Sequence, residues 1–392
     1  MPSRLRSFAP RTAVLAIQVA LFAFASDAAT ITGLNTNNLT IGATSADGVT
    51  GFTEIYDRDP SDAGALTNGK IAFTPPEASS PGVKVVNGTF PLSGPNPGAL
   101  ATTGCIMASS TATCDSEFQS GKRFKEIITK ASAPVDLVFD VAAEGVQQGG
   151  AGYQVFHRLV NQTQSRLTGF TLELGFGVGE NFVQSTGGDG LGFSTVFTSG
   201  PDGANAFTQY PFGLFGNAAS NPNFTLDGFF SPTRAGFDVA LLEDIMFSTG
   251  YYGPYKGQFG NWLSSEMTPS GGFYDDDGDP DTDAILMAWL NVDNVWEVRR
   301  ELDQFDEVVS RAPITFSSLA DASTFLGVTL EELSIEDLAN LNLNFAIALD
   351  AGTVGFNEFT LRVGVQPVPL PASAPILIVA LGLLGMMTRS RA

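Results

Sequence analysis

Between residues 168 and 176 the chain alternates with a period of two. Phe170, Leu172, Leu174 and Phe176 fall on one side, Thr171 and Glu173 on the other. Successive side chains of a strand point to opposite faces, so a strand gathers these apolar positions into one row, while a helix would scatter them. The segment reads as a strand buried on one face. Such a face has to be covered, so the chain needs a second sheet packed on the first. Residues 135–141 and 153–160 also read as strands, as do 344–349 and 358–363. The polar stretch 161–166 reads as a hairpin connection between two of them. With 43 glycines, 22 prolines and 31 phenylalanines, the composition suits many turns around an aromatic-rich core.

Asn68-Gly69 and Asn87-Gly88 have the chemistry of tight hairpin turns. Pro75-Pro76 and residues 91–98 read as loops. The glycine-rich run 187–192 and the aromatic segment 210–216 read as structured loops. Helix is the minority. Thr329 with Glu332 three residues on forms a capping box for a helix reaching Asn340. Residues 317–326 and 283–290 carry weaker helical patterns. The expected fold is mainly β: an antiparallel β-sandwich with long loops and a small helical insertion near residues 315–342. The same pattern allows a division into two β units near residue 130.

The ends carry sorting signals. Arg4, Arg6 and Arg11 precede an apolar core over residues 13–25, and the small Ser26 and Ala28 follow. Residues 1–28 thus read as a secretory signal peptide, cut after Ala28 or alternatively after Ala25. At the other end Val368, Pro369, Leu370, Pro371 and Ala372 lead into the apolar run 374–387, closed by Arg389 and Arg391. That run is shorter than the roughly 20 residues of a stable span. It crosses a membrane only marginally, with its arginines favouring a cytoplasmic end. A marginal span suits a tail that is inserted, read and removed; the alternative is an ordinary C-terminal anchor.

Removing residues 1–28 and 367–392 leaves a body of 338 residues, 29–366, with 15 basic and 40 acidic side chains and a net charge near −25. Such a surface repels nucleic acid and anionic membranes. It suits divalent cations, basic partners or a saline medium. Cys105 and Cys114 are the only cysteines. In an exported chain they are expected to form a disulfide closing a short loop, worth about 2–3 kcal/mol. The single histidine, His157, is distant in sequence from both, so no zinc site is expected.

The pentapeptide, the apolar run and the terminal arginines together resemble the VPLPA variant of the PEP-CTERM sorting signals, read by exosortase-type membrane proteases of Gram-negative bacteria. The resemblance implies cleavage near the proline-rich motif and release or attachment at the cell surface. The body adds further motifs: Gly152-Tyr153-Gln154-Val155-Phe156-His157-Arg158, Leu167-Thr168-Gly169-Phe170, Gly188-Asp189-Gly190-Leu191-Gly192-Phe193 and Tyr210-Pro211-Phe212-Gly213-Leu214-Phe215-Gly216. Leu226-Asp227-Gly228-Phe229-Phe230 and Phe273-Tyr274-Asp275-Asp276-Asp277-Gly278-Asp279-Pro280, ahead of Ala288-Trp289, complete the set. Over residues 130–365 the chain resembles the choice-of-anchor F proteins, exported bacterial proteins with tails of this type. That resemblance implies export and surface display and carries over no catalytic residue.

The best candidate site is the run 275–283, where Asp275, Asp277, Asp279, Asp281 and Asp283 recur at every second residue. Carboxylates this dense repel one another unless a cation neutralises them, and calcium accepts six to eight oxygens in flexible geometry. Pro280 at the sixth position and Leu286 at the twelfth exclude an EF-hand. A bent loop with affinity in the range of about 10⁻⁴–10⁻³ M is the expectation for calcium. The alternative is an acidic turn capping a helix that starts near Ala284. Tyr251, Tyr255 and Trp262 can stack on a glycan or fill a core. His157 reads as structural, because no G-x-S-x-G elbow supplies a nucleophile. Gly175-Phe176-Gly177-Val178-Gly179 fails the dinucleotide fingerprint. The expected function is non-catalytic: a cell-surface or extracellular-matrix protein with an exopolysaccharide or biofilm partner. A calcium-dependent carbohydrate-binding module is the first alternative. A secreted hydrolase is the second, and would need two carboxylates converging in a cleft.

Overall fold

The computed structural model describes residues 29–44, 50–91, 101–116, 121–142, 152–194, 209–210, 226, 229, 236–242, 245–252, 259, 261–278, 284–349 and 355–368. They form three sheets. The first runs in the spatial order β1 (Thr30–Leu34), β8 (Val135–Ala142), β22 (Glu358–Pro367), β10 (Leu167–Phe176), β15 (Ile245–Tyr252) and β14 (Gly236–Leu242), with β11 (Val183–Gln184) added to β10. Its pairings are all antiparallel.

The second sheet runs β12 (Leu191–Phe193), β21 (Asn340–Leu349), β9 (Tyr153–Asn161), β7 (Phe124–Ile128), β4 (Thr67–Phe73), β3 (Gly51–Tyr56) and β2 (Leu39–Thr44). The short β13 (Gln209–Tyr210) also pairs with β21, and the hairpin of β5 (Ala78–Pro91) and β6 (Ala101–Ser110) joins at β9. Two of its pairings are parallel: β6 and then β7 run alongside β9 in the same direction.

The alternation in β10 has the anticipated effect. Phe170, Leu172 and Leu174 are fully buried, and Leu172 and Leu174 stand opposite Val363 and Leu361 of β22. These side chains share one core with Leu137 and Phe139 of β8 and with Ile71, Phe124, Val155, Leu159, Leu343 and Phe345 of the second sheet. Each such side chain contributes about 1.5–3 kcal/mol by leaving water. The two sheets approach closely at Gly69, where a methyl group would stand 2.7 Å from Val135 Cγ2.

The third sheet runs β19 (Val308–Phe316), β18 (Trp296–Leu302), β17 (Ile285–Leu290), β16 (Ser270–Tyr274) and β20 (Glu331–Ser334). Leu286 and Trp289 of β17 point into the shared core. Ile285, Met287 and Ala288 join a second cluster with Trp296, Val298, Ala322, Leu326 and Leu330. The helix α1 (Leu319–Leu326) closes that cluster. Ser318 caps it by accepting the Asp321 N–H, and Gly327, at φ 74°, ends it in a left-handed turn.

The mainly β fold with long loops and one small helical insertion is as expected. Several local expectations are corrected. The helix expected from Thr329 to Asn340 does not form. Gly327 ends α1, Glu331–Ser334 pairs as β20 along the open edge of β16, and Glu336–Ala339 is a single 3-10 turn. Residues 285–290 are a strand, because an apolar run buried on both sides has no period to separate strand from helix. Asn68-Gly69 lies within β4 and Asn87-Gly88 within β5, at a break in register. Residues 161–166 do not join a hairpin, since β9 and β10 belong to different sheets. Asn161 turns the corner: its side chain accepts the Thr163 N–H at 2.9 Å and donates to Ser165 O at 2.9 Å. Strand pairing runs across residue 130: β1 pairs with β8, and β6 and β7 pair with β9.

Candidate functional site

The acidic run links β16 to β17. Asp275, Asp276 and Asp277 are exposed at the end of β16. Asp275 Oδ1 accepts the Gly278 N–H at 2.7 Å, and Gly278 has φ 71°, so the chain turns at once. Asp279, Asp281 and Asp283 lie outside the described residues. The helix that this turn was expected to cap is replaced by β17. Among the described residues no three His, Cys, Asp or Glu side chains converge as metal ligands.

Trp262 is not a glycan platform. It is fully buried, and its indole N–H donates to Ala339 O at 2.7 Å. Its own carbonyl accepts the Leu167 N–H at 2.9 Å. Trp262 thus fastens the start of β10 to the turn before β21. Phe259 packs edge-on against Trp289 at 4.9 Å. Tyr251 contributes backbone to β15 opposite Phe237 of β14; its side chain and the whole of Tyr255 lie outside the described residues.

The core holds a polar pair that the sequence reading missed. His157 Nε2 lies 2.8 Å from Glu126 Oε2, and neither side chain has any solvent exposure. The imidazole stacks on Phe124 at 4.3 Å between centroids. Among the described residues, His157 Nδ1 and Glu126 Oε1 have no hydrogen-bond partner. The pair joins β7 to β9 across their parallel seam. With both side chains shut off from solvent, its geometry suits fixing strands. The signal lay in Phe124-Lys125-Glu126-Ile127-Ile128, where alternation puts Glu126 on the face of Phe124 and Ile128.

On the outer face of the first sheet, Arg362 of β22 grips Asp136 of β8 through two bonds of 2.7 Å. Asp136 also accepts the Gly179 N–H, Arg362 donates to Gly179 O, and the Phe182 ring lies 3.8 Å from the guanidinium. Glu173 stands opposite Arg362, with burial pushing its carboxyl above the usual carboxylate range against the pull of that arginine. Further along, Asp140 and Glu358 are cross-strand neighbours, and Asn35 Nδ2 donates to both at 2.7 and 3.4 Å.

Cys105 and Cys114 are bonded, and both are buried. Beside them Lys122 is fully buried. Its ammonium donates to Cys114 O at 3.0 Å and to Ser116 O, and lies 5.1 Å from the Phe156 ring. Burial pushes this lysine down to about 8. At the end of β22, Pro367 pairs with Leu167, and Val368 donates its N–H to Arg166 O at 3.2 Å. Pro369, Leu370, Pro371 and Ala372 lie outside the described residues. So does the apolar run 374–387; no described helix is long and apolar enough to cross a membrane.

No protein-family model, curated protein or solved structure matches this chain. The family resemblance therefore stands on the quoted motifs, and the site on the geometry above.

Proposed function

We propose that this chain is an exported, non-catalytic protein of the cell surface or extracellular matrix of a Gram-negative bacterium. On its motifs we assign it to the choice-of-anchor F proteins. Its precursor is held in the inner membrane by the apolar run, and an exosortase-type protease processes the tail. The observation that carries the reading is where the strands start and stop. Among the described residues the first strand begins at Thr30, just past the leader, and the last ends at Pro367, one residue ahead of the motif. A bond just outside the last strand can be cut without unfolding a sheet. The buried disulfide suits an oxidising compartment. The strong negative charge suits solubility outside the cell and contact with cations or a matrix polysaccharide. The intact mass of the mature protein, from envelope and medium fractions, tests the reading. A C-terminus between Pro369 and Ala374 is expected; a chain still ending at Ala392 in the membrane would overturn processing.

A calcium-dependent carbohydrate-binding module is the second reading, favoured by three consecutive exposed aspartates at the β16 end. It predicts heat release on calcium titration by calorimetry, abolished in the Asp275→Asn/Asp277→Asn double variant. A flat titration of the parent protein would exclude it.

A further inference from the structure

We propose that the outer face of the second sheet carries an anion-binding strip, built by Lys125, Arg158 and Lys70, that takes the carboxylates of an acidic polysaccharide; this rests on the matrix reading above and names its ligand class. The body has 40 acidic and 15 basic side chains, so carboxylates are plentiful. Four arginines use them: Arg58 pairs with Asp57, Arg299 with Glu297, Arg311 with Glu301 and Arg362 with Asp136. Lys84 and Lys122 donate to backbone carbonyls instead. The Lys125 ammonium does neither among the described residues, and its neighbour on the adjoining strand is another cation, Arg158. Alternation along β7 sends Phe124 and Glu126 to the His157 side and Lys125 to the opposite face. Arg158 lies on that same outer face, where its Nε donates to Asn342 Oδ1 at 2.9 Å and the guanidinium is fixed. Ala72 of β4 stands opposite Lys125, which makes Lys70 a diagonal neighbour about 7–8 Å away. The Lys70 ammonium is held 4.1 Å from the centre of the Phe52 ring. Lys70, Lys125 and Arg158 are all partly exposed.

Two carboxylates come near. Glu54, opposite Lys70, accepts the Tyr56 hydroxyl at 2.7 Å. Glu336 attracts Lys125, yet burial and the neighbouring Arg158 together push that ammonium below the usual lysine range. Like charges on adjoining strands repel, and partial burial adds to the cost. A bound anion relieves both. Strands about 4.8 Å apart let the ammonium and the guanidinium share one carboxylate through charge-assisted bonds. A polymer with one carboxylate per sugar fits such a strip. Nucleic acid or an anionic bilayer brings dense charge that meets the repulsion of a body near −25.

The test is affinity electrophoresis of the mature protein, recovered from the producing cells, through gels containing polygalacturonate or its fully methyl-esterified form. Retardation by the acid and none by the ester is expected. Lys125→Gln is expected to weaken binding about tenfold, and Lys70→Gln to weaken it less. Lys125→Gln also removes a repulsion, so its urea midpoint without polymer is expected at or above that of the parent; a lower midpoint would overturn the argument. So would equal retardation by both polymers, no retardation by either, or undiminished binding by Lys125→Gln. Tighter binding to DNA or to phosphatidylglycerol vesicles than to polygalacturonate would overturn the glycan as ligand. A flat result from a chain whose mass shows the processed tail overturns the strip and leaves export standing. An unprocessed tail overturns tail processing whatever the polymer does.

Discussion

Glu126 occupies a position where an alternating strand should present an apolar side chain, and its presence there has an energetic consequence. Paired with His157 it is tolerated; alone, either group would be a polar or charged side chain stranded in a dry core. Glu126→Ala is therefore expected to lower unfolding stability by about 3–5 kcal/mol. Replacing both partners, as in Glu126→Leu with His157→Phe, is expected to cost far less or to stabilise. Urea unfolding of the single and double variants checks this, and equal losses in both would show that the pair is not the source. At this scale the sequence was legible where a residue's neighbours agreed with it. The two cysteines, close together in the chain, could be read directly as a pair. Trp262 could not, because a tryptophan near tyrosines has the same sequence whether it stacks on sugar or plugs a core. Only its bonds to Ala339 and Leu167 separate the two.

Among elements, the loop between β6 and β7 stands out. Parallel to β9, the chain leaves as β6 at Ile106 and returns as β7 at Phe124. The excursion is tied by the disulfide and filled by the Lys122 ammonium. Because burial depresses Lys122 below its unfolded value, both states hold its proton at neutral pH and the native state bears the cost of desolvation. Above about 8 the native state releases the proton while the unfolded chain keeps it. That contribution to stability is thus absent at neutral pH and appears as pH rises, at up to about 1.4 kcal/mol per pH unit. Denaturant midpoints from pH 7.5 to 10 should climb in the parent relative to Lys122→Met; parallel curves would refute the assignment. The elements most legible in sequence were β8, β9 and β10, of which β10 carries the period-two alternation. Local turn chemistry failed where packing overrode it. Asn68-Gly69 stays extended because Gly69 makes room for Val135 and Asn68 reaches Pro134 O at 3.4 Å. The capping box at Thr329 failed because an open edge of β16 offered Glu331–Ser334 a ladder of backbone bonds instead.

For the molecule as a whole, chain order and spatial order differ in one decisive way. The last strand, β22, lies between β8 and β10 in the interior of the first sheet, and its Phe359, Leu361 and Val363 are buried in the shared core. A chain stopping at Asn357 loses those side chains and leaves β8 and β10 without their common neighbour. It is expected to be recovered unfolded, with no cooperative transition by circular dichroism; a native-like melt would contradict the sheet order. Periodicity could show that β22 was a strand but not which strands it joined, since pairing partners far apart in sequence leave no local mark.

The interior position of β22 also bears on mechanics. A molecule tethered by its C-terminus would take its load along the axis of a ten-residue strand held on both sides by antiparallel ladders. Pulled lengthwise, those hydrogen bonds share the force in shear, whereas an edge strand at the tether could be peeled away one bond at a time.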